Sequence, residues 1–209
     1  MRKADLERTL EAVPRHPAPS PDLEQYRTPP AIAAQFLLLA HADGAIADKR
    51  VLDLGCGTGT FAVGAALLGA RLATGIDADA QSIGLAQRCA ADLRVQERTW
   101  FVTADLAQWR PEAGAYDAVV MNPPFGAQKN NKHADRAFIA RAAEAVRPQG
   151  TVWFLAQVRT EGFLAQQAKA LGAAIERVAT WPYPLEATMT HHREAARTVE
   201  VGAYRLSWL

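Results

Sequence analysis

From Arg50 onward, short apolar runs alternate with segments whose apolar residues recur every three or four positions. Val51–Leu54, Arg71–Ile76, Trp100–Thr103, Tyr116–Met121 and Val152–Leu155 predict five strands. The longer periodicity predicts helices over Thr60–Leu68, Asp79–Leu93, Ala134–Val146 and Glu161–Leu171. Two late strands, near Ile175–Thr180 and Val199–Leu206, are joined by a Pro-rich and then basic loop with no full helix between them. Strands separated by helices give an α/β chain with a mostly parallel sheet covered on both faces. The late pair adds an antiparallel hairpin at one end, for seven strands in all. Before this region, Leu6, Leu10 and Val13 lie on one face of a short helix, and His16-Pro-Ala-Pro-Ser-Pro21 reads as a stiff linker or wrapping arm. Thr28-Pro29-Pro30 reads as a helix start with Thr28 as N-cap; the helix runs to about His41 and Asp43-Gly44 ends it. The expected organisation is an N-terminal helix and arm over residues 1–30 and one domain over residues 31–209.

At 209 residues, with 49% hydrophobic and 22% charged side chains, the chain is long enough for one such domain and excludes a disordered tail, a collagen-like repeat or a disulfide-stapled mini-protein. The net charge is +1, and the basic residues are 18 Arg against 5 Lys. Arg forks suit phosphate and carboxylate, yet a bias toward Arg and Ala in composition gives the same ratio, so only the local placement of charge bears on nucleic acid. Cys56 and Cys89 stand in no metal-ligand spacing, which points to a reducing compartment and to no metal site. The first ten residues carry five charges and no apolar run, unlike a signal peptide, and runs such as Ile32–Ala40 are far below the ~20 residues of a membrane helix. The expectation is a cytoplasmic protein with no membrane partner.

Candidate chemistry begins at Asp53-Leu-Gly55-Cys-Gly57-Thr58-Gly59-Thr60, which joins the first strand to a helix. Glycines let the backbone approach a ligand, and the helix start offers free N–H groups. Asp77 ends the second strand about 20 residues on, where a carboxylate can accept both hydroxyls of a ribose. Together they describe a nucleoside-containing cofactor. The turn alone leaves the cofactor open, because Gly57-Thr-Gly59-Thr-Phe-Ala62 also fits a dinucleotide fingerprint and a tight turn needs no ligand. Asp53 favours a charged amine, such as the methionyl end of S-adenosylmethionine, over a pyrophosphate. Asp105, in Thr103-Ala-Asp105-Leu106, is placed to accept from an adenine amino group or to serve as a turn residue.

The fourth strand ends in Asn122-Pro123-Pro124-Phe125, which resembles the (D/N)-P-P-(Y/F/W) motif of methyltransferases acting on a planar nitrogen. A conjugated amine has a delocalised lone pair and is a poor nucleophile. The Asn122 side-chain oxygen and the Pro123 carbonyl can each accept one N–H, holding the nitrogen in its pyramidal form with the lone pair toward the methyl donor. No strong base is needed, Pro124 stiffens the loop, and Phe125 offers a face for a flipped-out base.

Leu23-Glu-Gln-Tyr-Arg-Thr-Pro29, the Asp53–Gly59 turn, Asn122-Pro-Pro-Phe-Gly126, Lys129-Asn-Asn-Lys132, Val199-Glu-Val and Arg205-Leu-Ser-Trp208 occur in that order. The series resembles the methyltransferase-like-five family and its archaeal relatives, small-subunit ribosomal RNA adenosine-N6 methyltransferases, from about residue 23 onward. One departure is that Gly126-Ala-Gln-Lys129 is a residue longer than the family spacing. The resemblance implies a Rossmann-like class I S-adenosylmethionine-dependent fold. It implies that Gln25 and Thr28 fold over the cofactor and that Gly55, Thr58 and Thr60 line its methionine portion. Asp77 then holds the ribose, Asp105 with Leu106 the adenine, and Asn122 to Phe125 form the catalytic loop. It also implies a small zinc-binding activator protein as partner.

Lys129, Lys132 and His133 follow the catalytic loop, and His191, His192, Arg193 and Arg197 occupy the late loop with Tyr183 and Met189 nearby. Both sets are candidate contacts to phosphates flanking a splayed base, and without a third ligand the paired histidines do not read as a metal site. Arg98-Thr-Trp-Phe-Val102 is the expected edge strand, whose Trp100 and Phe101 invite strand addition by the partner. Three other readings remain. A glutamine-N5 protein methyltransferase uses a similar loop, but is expected to carry a larger N-terminal substrate domain and a tyrosine where Phe125 stands. A non-catalytic RNA-binding module does not require Asn122, Asp77 and Asp105 together. A nicotinamide oxidoreductase fits neither Asp53 nor the proline loop.

Overall fold

A computed structural model describes residues 1–19, 27–125, 134–185 and 197–208. The elements, in order, are α1 (Lys3–Glu11), α2 (Pro30–Ala42), β1 (Arg50–Leu54), α3 (Thr60–Leu67), β2 (Leu72–Asp77), α4 (Ala80–Asp92), β3 (Thr99–Thr103), β4 (Tyr116–Met121), α5 (Ala134–Ala145), β5 (Val146–Gln157), α6 (Glu161–Ala170), β6 (Ala174–Leu185) and β7 (Arg197–Ser207). The seven strands form one sheet in the order β3-β2-β1-β4-β5-β7-β6. The five strands β1 to β5 pair in parallel, and β7 runs antiparallel to both β5 and β6. This is the seven-stranded, mostly parallel α/β sheet with a terminal antiparallel hairpin that the periodicity predicted.

Alternation along each strand sorts the core into two layers. Val51, Ala118, Val120, Trp153, Leu155, Val201 and Ala203 face a cluster with the buried residues of α1, α2 and α3. Leu52, Leu54, Val119, Met121, Val152, Phe154 and Leu206 face α5 and α6 through Ile139, Ala142, Leu164 and Ala168. In α1, Leu6 and Leu10 are fully buried and Val13 just beyond it nearly so, and the helix packs on α2 and α3. β1 and β4 are parallel neighbours at the point where strand order switches sides, so the loops after β1, β2, β3 and β4 open into one crevice at the carboxyl ends of the strands.

Three expectations are corrected. The segment Trp181-Pro-Tyr-Pro-Leu185 is not loop but the continuation of β6, paired with β7 as far as Leu185–Arg197. Pro182 and Pro184 fall two apart on an edge strand, so one strand parity, away from β7, absorbs both missing N–H groups. Thr28 does not cap α2; Pro29 holds the cap position, and no side chain caps it. On the β3 edge Trp100 is 64% exposed, whereas Phe101 turns inward over Gly75, where a Cβ would stand 2.6 Å from its ring.

Candidate active site

At the crevice the backbone of Asp53-to-Thr60 tightens into a turn that only glycine accommodates at two points. Gly59, the N-cap of α3, has φ +93°, and an added Cβ would stand 2.9 Å from the Ala86 Cβ. Gly55 has φ +69°, and its Cβ would meet the Phe138 ring of α5 at 2.9 Å. Gly59 brings no side chain to cap α3; the Asp53 carboxylate does so instead from β1, with Oδ2 accepting the Ala62 N–H at 2.9 Å. Asp53 shares the strand parity of Val51, which aims it at α3. Its carboxyl is fully buried, and that burial, helped by Asp77, pushes its pKa up to about 8 against the opposing Ala62 hydrogen bond.

Asp77, at the tip of β2, braces the same turn. Its Oδ2 accepts the Gly57 N–H at 2.8 Å and its Oδ1 the Asp79 N–H at 2.9 Å. Burial raises this carboxyl too, against those backbone bonds. Asp105 accepts the Ala107 N–H at 2.9 Å, so the turn role and a place on the cleft wall coexist in one side chain.

These groups enclose a cleft of about 340 Å³, within the range of small-molecule sites. Thr28, Asp53, Gly55, Gly57, Thr58, Thr60, Asp77, Asp105, Leu106, Asn122 and Pro124 all line it. Gly59, Pro123 and Phe125 do not: Gly59 shapes the turn from behind, Pro123 is buried, and Phe125 packs edge-to-face on Tyr183 at 5.5 Å. The Phe138 ring, from α5, and His16 and Arg27, from the N-terminal segment, line the cleft as well, and local sequence pattern gave no signal for them. Gln25, Lys129, Lys132, His133, His191, His192 and Arg193 lie outside the described residues, as does the Arg197 side chain. Among the described residues, no group of three or more His, Cys, Asp or Glu side chains is placed to hold a metal, and no helix is long and apolar enough to cross a membrane.

The polar centre of the cleft is Asn122. Its Nδ2 donates to Thr28 Oγ1 at 3.0 Å, across 94 residues of chain, which is where the threonine hydroxyl goes in place of capping α2. Its Oδ1 is buried and accepts no hydrogen bond among the described residues. A buried acceptor without a donor costs about 1–3 kcal/mol. It fits a ligand that brings an N–H.

The electrostatics carry a pH prediction. A cation against Asp53 favours its carboxylate, so affinity for a cationic ligand rises as pH climbs toward about 8 and levels above it, with a proton released on binding at neutral pH. For the unliganded fold the sign is opposite. With its folded pKa raised, the Asp53 contribution to stability is complete below the unfolded value of 3.8 and is lost as pH rises through about 8. Calorimetric titration in two buffers of unequal ionisation enthalpy checks the first statement; an affinity flat from pH 6 to 9 contradicts it.

Residues 32–179 match the family described as the methyltransferase small domain. The chain is 33% identical over its whole length to the Methanocaldococcus jannaschii protein MJ0284, covering 95% of it. It is 31% identical to the rRNA N(6)-adenosine-methyltransferase Mettl5 of Drosophila melanogaster over 96% of the chain and 93% of that protein. Among solved structures, Pyrococcus horikoshii PH1948 superimposes with a TM-score of 0.88 at 28% identity, over all of this chain and 98% of the other.

Proposed function

Because this chain belongs to the methyltransferase small-domain family and, within it, to the rRNA N(6)-adenosine-methyltransferases, we propose that it methylates the N6 amine of an adenosine in small-subunit ribosomal RNA, using S-adenosylmethionine. The observation that carries this reading is the Asn122 amide, tied through Nδ2 to Thr28 and with a buried Oδ1 that has no partner among the described residues. The cleft residues fit the cofactor: Asp53 is a buried carboxyl that a cation would return to its charged form, and Asp77 and Asp105 supply acceptors for hydroxyl and amine donors. When bound, the cofactor supplies an electrophilic methyl group on a sulfonium. Asp53 orients the methionyl ammonium, Asp77 the ribose and Asp105 with Leu106 the adenine; Gly55, Gly57, Thr58 and Thr60 shape the wall between. Asn122 Oδ1, on the cleft wall, accepts one amine hydrogen, and we assign the other to the carbonyl of Pro123, which adjoins Asn122 outside the cleft lining; the nitrogen lone pair then projects along one direction. Phe125, braced by Tyr183, gives the base a fixed aromatic edge.

Methyl transfer from labelled cofactor to rRNA fragments, followed by nucleoside analysis, tests the reading. N6-methyladenosine is expected; label in protein or on another nucleoside overturns it. We assign the phosphate contacts to Lys129, Lys132, His133, His191, His192, Arg193 and Arg197, with Gln25 on the cofactor. Lys129→Ala with Arg193→Ala is expected to weaken RNA binding about tenfold at low salt and to flatten its salt dependence; RNA affinity unchanged in the double variant removes both loops from the interface. The β3 edge with exposed Trp100 fits a small zinc-binding activator that adds a strand. Light scattering with and without that partner checks this, and a stable, fully active lone monomer contradicts it. Two free, buried thiols suit the cytoplasm.

A further inference from the structure

Asp77 can only accept hydrogen bonds when ionised, and each of its oxygens already takes one backbone N–H. A vicinal diol is both donor and acceptor, so a complete grip on it needs a donor as well as a carboxylate. One such donor lines the same cleft as Asp77, and it comes from the N-terminal segment. His16 lines the cleft together with Asp77, Ala78 and Ser82. Its side chain is only 9% exposed. Nδ1 accepts the Ala18 N–H at 3.2 Å, which leaves the ring hydrogen on Nε2. Nε2 lies 2.8 Å from Asp79 Oδ2, yet among the described residues it makes no hydrogen bond of ordinary geometry. The N–H direction misses that oxygen, and Asp79 is already engaged as the cap of α4, with Oδ1 accepting from Gln81 N and Oδ2 from Ser82 Oγ. The Asp79 carboxylate thus lies against the neutral ring and positions it, while the buried Nε2–H makes no well-aligned hydrogen bond among the described residues.

We propose that His16 is a cofactor-binding residue whose Nε2–H donates to a ribose hydroxyl, complementing Asp77 on the same diol. The assignment rests on the nucleoside cofactor read for this cleft. It makes the Pro-rich segment at residues 14–19 a wall of the site: His16-Pro17 and Pro19 fix the backbone on either side of the Ala18 N–H that sets the ring tautomer. The sequence gap between His16 and Asp77 hides the pairing from any local pattern.

The test is the affinity of S-adenosylhomocysteine and of its 2′-deoxy and 3′-deoxy analogues, measured by calorimetry on the full chain. His16→Ala is expected to bind the parent compound about tenfold more weakly, the loss of one hydrogen bond in a desolvated site. Against the analogue lacking the contacted hydroxyl the same variant is expected to lose nothing further. His16→Gln, which returns an N–H near the Nε2 position, is expected to recover most of the affinity. In turnover the effect falls on the cofactor KM rather than on kcat. An equal loss for all three compounds, or a parent affinity within twofold of the unaltered chain, overturns the assignment. If the unaltered chain binds none of the compounds, the cofactor reading itself fails and the role of His16 with it.

Discussion

Replacing Asn122 with Ala lowers the rate of methyl transfer by about 10³-fold, with cofactor affinity changed only a few-fold. The size follows from what the amide does. The reacting amine is a weak nucleophile, and the cleft holds its hydrogens in place of deprotonating it. Asn122 Oδ1 is the side-chain acceptor at that point, and its other end is already fixed by the 3.0 Å bond to Thr28. Ala removes acceptor and anchor together, so both alignment and stabilisation of developing charge are lost. Asn122→Asp keeps an acceptor in place, and Thr28 Oγ1 can reverse its bond to donate to it; a partial rate, well above that of Ala, is expected. Single-turnover transfer to RNA and calorimetry with S-adenosylhomocysteine separate the two effects. An Asn122→Ala variant retaining more than a tenth of the rate contradicts the role given to Asn122.

Replacing Asp77 with Ala weakens cofactor binding about 100-fold, or about 2.7 kcal/mol. Two losses add. The carboxylate that accepts the ribose hydroxyls goes, and the Gly57 and Asp79 N–H groups lose their partner, so the glycine turn is no longer held to the tip of β2. Asp77→Asn retains one acceptor and separates the contributions: an affinity between those of Asp and Ala marks the turn as part of the effect. Binding by the Ala variant at the affinity of the unaltered chain sinks the assignment.

The parts of the site legible in sequence are those written within a few residues. The Asp53–Thr60 turn, the position of Asp77 after the second strand and the Asn122-Pro-Pro-Phe loop after the fourth each combine a strand end with its own chemistry, and strand order does the rest. What escaped depends on partners far along the chain. Thr28 has the local look of an N-cap, but a hydrogen bond to Asn122 outweighs that use of its hydroxyl. His16 reads as part of a linker until Asp79 and the cleft stand beside it. Pro182 and Pro184 read as breakers because edge position, which tolerates them, is a property of the whole sheet. In sequence Asp53 shows only its charge; its capping of α3 depends on the fold, where Gly59 offers no side chain.

The place of β7 in the sheet bears on how the protein is made. The last strand in sequence is an interior one, bonded to β5 on one side and β6 on the other. During synthesis from the N-terminus, both neighbours emerge first with their facing edges bare, and β6 has no other strand among the described residues to rest on. The Asn122 loop and glycine turn are translated early, but the half of the sheet that backs Phe125 through Tyr183 closes only after residues 197–207 leave the ribosome. A nascent chain stalled short of that point exposes two unpaired strand edges, the form in which this fold is most open to chaperones and to aggregation.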